Sequence, residues 1–190
     1  MQRTITGTPV RVPAGTTPEG DGIALGQGPV RVDAYMDFMC PFCRQFEERS
    51  GPVLDRLLDD GTITLVYHPL GFLDLLSTTR YSSRASGASG CASDFGAFKP
   101  YKDALFANQP PEGGPGLSQE ELVELGRVIG LRDQRFERCV LGEAHLPWAD
   151  FVTQVAAERG ISGTPSVFVG GVPVPANGPV IAAEVAELAG

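Results

Sequence analysis

The residues best suited to chemistry are Cys40 and Cys43, separated by Pro41 and Phe42. Two thiols at this spacing sit within one helical turn and can close a disulfide with each other. The thiolate, not the thiol, is the reactive form, and a helix N-terminus favours it through free N–H groups and a partial positive charge. Cys40 is placed to be the N-cap of such a helix. Pro41 would follow at the first helical position, where its missing N–H costs nothing. The competing chemistry for a C-x-x-C is half a zinc site, which needs two further ligands, usually a second C-x-x-C or an H-x₃₋₅-H. Cys91 and Cys139 are lone cysteines far apart, and His68 and His145 are unpaired in sequence. The redox reading therefore outweighs the zinc reading, and no metal or other cofactor is expected.

The elements that must position this pair follow from the change of period around it. Pro29–Tyr35 is a run of β-formers leading into the motif. After Cys43, Phe46, Val53, Leu54, Leu57 and Leu58 recur at helical spacing, with Gly51-Pro52 expected to kink the helix and Gly61 to end it. Thr62–Tyr67 is again β-branched and apolar. Residues 29–68 thus read as one strand–helix–strand unit with a parallel, right-handed crossover. Helices are expected over 77–93, 98–108, 118–129, 133–142 and 147–159, with Ser118 and Glu121 forming a capping box. Ser166–Val169, Gly170-Gly171 and Val172–Val174 form a hairpin whose last strand is an edge because of Pro173. A helix over 179–189 closes the chain. Residues 1–28 are turn-rich, with an edge strand expected at Val10–Val12. The fold class is α/β.

Composition bounds the function. The 190 residues carry a net charge of −8 and are 42% hydrophobic, enough for a real core and wrong for a phosphate-backbone binder. Nucleic acid is therefore not an expected partner. The first thirty residues hold no apolar stretch long enough for a signal-peptide core, and no run could span a bilayer. Two readings follow: a cytosolic protein, or a chain trimmed of an export signal or anchor.

Cys40-Pro41-Phe42-Cys43 after a strand, a helical insert, and Gly163-Thr164-Pro165-Ser166 before a hairpin together resemble the DsbA-like branch of the thioredoxin superfamily. Ser77–Ser82 and Asn108–Gly114 resemble exported actinobacterial members. The resemblance covers about residues 25–190. It implies a thioredoxin fold with a helical insertion: 1–28 as an N-terminal extension, 29–76 and 161–190 as scaffold, and 77–160 as the insert. It implies that Pro165 is cis and faces the cysteines, and that Thr164 offers its backbone to an extended substrate. It also implies a monomer acting on unfolded or reduced proteins, with a membrane-bound partner re-oxidising it. Two positions depart from the pattern. The acid often buried six residues before the first cysteine is Ala34 here, Asp33 points to the other face, and Asp37 is expected to be solvated, so Cys43 lacks a clear proton acceptor. Phe42 stands where DsbA has a histidine, so weaker thiolate stabilisation is expected.

If Cys40 and Cys43 pair, Cys91 and Cys139 pair by elimination or stay as two buried thiols; the disulfide is favoured. It would shift the compartment towards the extracytoplasmic, oxidising side of a membrane. Phe38, Met39 and Phe42 are expected as an exposed apolar patch that meets unfolded substrate. His68 reads as structural, His145 as a surface loop residue and Trp148 as packed. The leading function is a thiol-disulfide oxidoreductase that oxidises exported proteins. The alternatives are a reductase or isomerase, a glutathione-linked enzyme, and a peptide-binding or chaperone-like domain with structural cysteines.

Overall fold

The computed structural model describes residues 3–5 and 8–190, with side chains described from Val10 onward. A short hairpin, β1 (Arg3–Ile5) and β2 (Thr8–Val10), precedes a five-stranded sheet. The sheet contains β3 (Ile23–Leu25), β4 (Val30–Met36), β5 (Ile63–Pro69), β6 (Ser166–Val169) and β7 (Val172–Val174), in the order β3-β5-β4-β6-β7. The fold is a thioredoxin fold.

β4 and β5 are parallel, in register from Val30 opposite Ile63 to Met36 opposite Pro69. They are the central strands, buried on both faces, which is why both read as nearly unbroken apolar runs. Their crossover is α1 (Pro41–Asp59), which buries Cys43, Phe46, Ser50 and Leu54 along one stripe. α1 runs unbroken through Gly51-Pro52, the expected kink point; Pro52 lies on the solvent face, where water can take up the carbonyl its ring leaves unpaired. α1 ends at Gly61 (φ +67°) with Gly61 N–H donating to Leu58 O and Thr62 N–H to Leu57 O, a Schellman closure.

Tyr67 and His68 are neighbours on β5 and so face opposite sides of the sheet. Tyr67 reaches Glu47 of α1, its hydroxyl donating at 2.6 Å. His68 lies in a fully buried polar network on the other side. Its ring nitrogens meet Asp21 O at 2.7 Å and Asp33 Oδ1 at 2.8 Å, and its ring stacks on Tyr35 at 4.2 Å. The closing helix α7 (Gly178–Ala189) packs on α1 through Gly178, where a Cβ would come within 3.0 Å of Val53.

Between β5 and β6 lie α2 (Tyr81–Ser93), α3 (Phe98–Ala107), α4 (Gln119–Val128), α5 (Gln134–Leu141) and α6 (Leu146–Glu158). α2 is built from Ser, Gly and Ala and is buried on nearly every side, so its neighbours approach its backbone. A Cβ on Gly90 would meet Pro13 at 2.8 Å and His145 and Trp148 at 3.2 Å. Cys91 on α2 and Cys139 on α5 form a disulfide, S–S 2.08 Å. Closing a loop of this length stabilises a fold by about 4 kcal/mol in the chain-entropy view. The capping box forms: Glu121 N–H donates to Ser118 Oγ at 3.1 Å and Ser118 N–H to Glu121 Oε2 at 2.7 Å.

Four expectations need correction. The N-terminal strand is Thr8–Val10, paired with Arg3–Ile5, and Val12 lies beyond it. Ile23–Leu25, read as part of a turn-rich extension, is an edge strand of the main sheet, antiparallel to β5. α2 starts at Tyr81 rather than 77, because Arg80 takes a left-handed backbone (φ +55°) and Ser77 instead caps the Tyr81 N–H at 3.0 Å. His145 is fully buried, packed between α2 and Trp148.

Lys102 of α3 is buried against Glu47 and lies 4.9 Å over the Tyr67 ring. Removing one partner of a buried pair leaves the other charge uncompensated, at a cost of about 3–5 kcal/mol. Lys102→Met is expected to lose about that much in urea unfolding, and adding Glu47→Gln to recover much of it. Unchanged stability in Lys102→Met would contradict this role for the pair.

Candidate active site

β4 delivers the chain to Asp37, and the next residues turn sharply before α1 begins. Cys40 is the N-cap, extended at φ −75° and ψ 118°, with Pro41 in the first helical turn. A cysteine side chain caps poorly, and none of the helix-start N–H groups is taken by a side-chain acceptor from Cys40. Those donors are left to act on the sulfur of Cys40. Both Cys40 and Cys43 are free thiols, Cys43 fully buried and Cys40 nearly so.

The two sulfurs have opposite electrostatics. Cys40 is lowered to about 6, first because the Cys43 thiol donates to it and, against the cost of burial, because backbone N–H groups of Cys43 and Phe42 face it. Cys43 is pushed far above the ordinary thiol range by burial and by the Cys40 sulfur beside it. The expected loss of thiolate stabilisation at Phe42 is thus offset by the second thiol and the helix start.

The Thr164–Pro165 peptide is cis, and Thr164 O lies 3.4 Å from Cys40 Sγ. The loop before β6 therefore faces the cysteines across the sheet end. A groove of about 530 Å³ opens beside them, lined by Cys40, Phe42, Phe72, Leu73, Ile161 and Thr164. Phe42 is 67% exposed and stands at its rim. Phe38 and Met39 are not part of that surface. Both are buried, Phe38 against Phe106 of α3 at 5.1 Å, because the insert folds over the loop that sequence reading left bare.

Asp37 also departs from expectation. It is fully buried, not solvated. Its carboxyl accepts from Met39 N–H at 2.9 Å, Leu73 N–H at 2.9 Å and Ser82 Oγ at 2.7 Å, while its own N–H points at Cys43 Sγ at 3.5 Å. Burial raises it to about 6 despite these hydrogen bonds. Asp37 therefore clasps the cysteine loop to the segment after β5 and to α2. Gln109 holds the same loop from the α3–α4 connection, its amide donating to Phe38 O and Cys40 O at 3.0 Å each. Gln109 lies in the Asn108–Gly114 stretch that resembles exported family members, but nothing in its residue type points to this role. Asp37 could have been flagged by its place between a buried strand and the motif.

The family model described as thioredoxin matches residues 20–183. The chain belongs to the thioredoxin family. Among solved structures it is similar to the reduced disulfide bond oxidoreductase DsbG from Mycobacterium tuberculosis, at 29% identity and TM-score 0.80, covering 90% of this chain and 88% of that one. It is similar as well to oxidised DsbA of the same organism, at 29% identity and TM-score 0.79, covering 90% of this chain and 93% of that one. These likenesses place it in the DsbA-like branch. A curated relative is the serine/threonine-protein kinase PknE of Mycobacterium tuberculosis (strain ATCC 25177 / H37Ra), 29% identical over 167 residues. The match takes in 81% of this chain and spans 29% of the kinase's length. No helix among the described residues is long and apolar enough to cross a membrane.

Two outcomes follow from the electrostatics. Alkylation of the reduced protein should show a Cys40 step with a midpoint near pH 6, set by its lowered value; a single step near the ordinary thiol value of about 8.5 would contradict it. Asp37 is raised from 3.8 to about 6, so its neutral form is favoured by folding. Its contribution is full below the unfolded value and lost as pH rises through the folded one. Asp37→Asn is expected to flatten stability between about pH 4 and 6 while lowering it by about 1–3 kcal/mol, since an amide nitrogen would face a donor. Denaturation across that range checks both.

Proposed function

We propose that this protein is a protein disulfide oxidoreductase of the DsbA type, and that it runs in the oxidising direction on reduced, unfolded exported proteins. The observation that carries the reading is the placement of the sulfurs: Cys40 Sγ sits at the start of α1, 3.4 Å from Thr164 O of the cis-proline loop, and Cys43 is fully buried behind it. That placement lowers Cys40 to about 6 and drives Cys43 far up.

With the pair oxidised, a substrate thiolate attacks Cys40 Sγ, and the Cys40–Cys43 bond breaks. Cys43 leaves and takes a proton, as its raised affinity demands. The substrate is then held in a mixed disulfide with Cys40. A second substrate thiolate attacks the substrate sulfur of that bond, and Cys40 departs as a stabilised thiolate, which makes it a fast leaving group. Cys43, protonated and buried, is a slow nucleophile for the reverse step, so the mixed disulfide tends to resolve forwards. A stabilised thiolate also favours the reduced form of the pair, which makes the oxidised form the stronger oxidant.

The extended substrate would lie along Thr164 in the manner of strand addition, with an apolar side chain beside Phe42 and Phe72. The disulfide of the insert supports an extracytoplasmic location, since such bonds persist in oxidising compartments. A membrane-bound oxidant would then return the pair to its disulfide. The residues proposed to act are Cys40, Cys43, Pro41 and Phe42, with Thr164 and Pro165 at the substrate.

The test uses a reduced peptide with two thiols. Oxidised wild-type protein should form the peptide disulfide in a single turnover. Cys40→Ser should fall to the uncatalysed rate. Cys43→Ser, charged at Cys40 with a small-molecule disulfide, should accumulate a mixed disulfide with a one-thiol version of the peptide, which has no second thiol to resolve it. Exchange that persists in Cys40→Ser would overturn the assignment.

A further inference from the structure

The insert brings together four groups that the sequence scatters. Cys91 and Asp94 lie three residues apart at the end of α2; Cys139 is on α5, and His145 stands just before α6. One donor atom each from Asp94, Cys139 and His145 falls within 4.8 Å of the others, and Cys91 Sγ is bonded to Cys139 Sγ at 2.08 Å. We propose that this cluster is a redox-gated zinc site: disulfide-bonded when the chain is oxidised, and a Cys₂–His–Asp site for a zinc ion when that disulfide is reduced.

Three observations support it beyond proximity. The donor set is what tetrahedral zinc takes: two thiolates, an imidazole nitrogen and a carboxylate oxygen. Such an ion spaces its donors about 3.3–3.8 Å apart, so Asp94, Cys139 and His145 need shifts of about an ångström, and Cys91 Sγ, which lies outside that 4.8 Å group, must swing in as the freed sulfurs separate. The outer hydrogen bonds are in place. His145 Nδ1 lies 3.3 Å from Arg11 O, the carbonyl contact that orients a ligating histidine and leaves Nε2 for the metal. Nε2 now meets Asp94 Oδ2 at 2.7 Å, while Asp94 Oδ1 accepts from Ala14 N–H at 2.8 Å. The ion would insert between Nε2 and Oδ2 and leave both outer bonds intact.

Access and charge also fit. Cys139 and Asp94 line an open cavity with Arg11, Arg135 and Arg138 at its walls. Two thiolates, one carboxylate and a divalent ion leave one surplus negative charge, which the arginines offset. The cavity also sets the direction of opening. A thiol of a dithiol reductant attacks the partly buried Cys139 sulfur, and Cys91 leaves as thiolate. The second thiol of the reductant then resolves the mixed disulfide. Protein disulfide and dithiol become protein dithiol and cyclic disulfide. Zinc then binds, and the two cysteine protons are released.

The experiment uses the full chain carrying Cys40→Ser and Cys43→Ser, so that only the insert cysteines respond. The protein is reduced with a water-soluble phosphine, which is converted to its oxide, and is titrated anaerobically with Co²⁺ and then Zn²⁺. The expected result is one metal per chain, with thiolate-to-cobalt charge transfer, tetrahedral visible bands and full displacement by Zn²⁺. The oxidised protein should bind none. His145→Gln and Asp94→Asn should each weaken Zn²⁺ binding by about tenfold or more. Cys139→Ser, which keeps the His145–Asp94 contact and leaves Cys91 as the one thiolate, should cut the charge-transfer intensity by about half or more. Absence of tetrahedral cobalt in the reduced chain would overturn the proposal. So would equal zinc affinity in His145→Gln, or a chain that unfolds on reduction and is not restored by zinc.

Discussion

Cys40 sulfur sits where the last residue of a buried strand hands the chain to the first turn of α1, and the rest of the structure serves that junction. Pro41 lets the helix start at once, and the Phe42 and Cys43 N–H groups of its first turn face the sulfur. Placing a thiolate there costs desolvation, because Cys40 is almost wholly buried. The Cys43 thiol and the helix start outweigh that cost, while the same burial keeps Cys43 protonated. One geometry thus produces two thiols with opposed preferences.

The scaffold and the insert hold the junction from different sides. β4 fixes its origin through a parallel register with β5 and an antiparallel one with β6, and β6 carries Thr164–Pro165 to the opposite wall. The insert contributes Gln109, Ser82 and the packing of Phe106 on Phe38. Asp37 is where these contributions meet: one carboxyl ties the loop, the segment after β5 and α2. The disulfide between α2 and α5 steadies the helix that supplies Ser82.

What could be read from sequence was whatever depends on neighbours in sequence. The switch from β-formers to helical spacing at Cys40, the Schellman glycine at Gly61, the capping box at Ser118 and the Gly170-Gly171 hairpin are local signals, and the structure forms each of them. Residues whose environment comes from far along the chain were misread. Asp37 looks like a loop acid until Leu73 and Ser82, 36 and 45 residues away, close on it. Phe38 looks bare until Phe106 of α3 covers it, and Met39 beside it is buried too. β3 is three residues long and gains strand character only from pairing with β5. His145 offered no cue to its burial beside Asp94 and the insert disulfide.

The central claim is that the electrostatics around Cys40 make the oxidised pair a strong oxidant. Equilibrating the Cys40–Cys43 pair with glutathione of known redox ratio measures this directly. The account predicts a potential nearer that of DsbA, about −120 mV, than that of thioredoxin, about −270 mV. A value at or below the thioredoxin figure would mean that the reduced form is not stabilised as described, and would contradict the account.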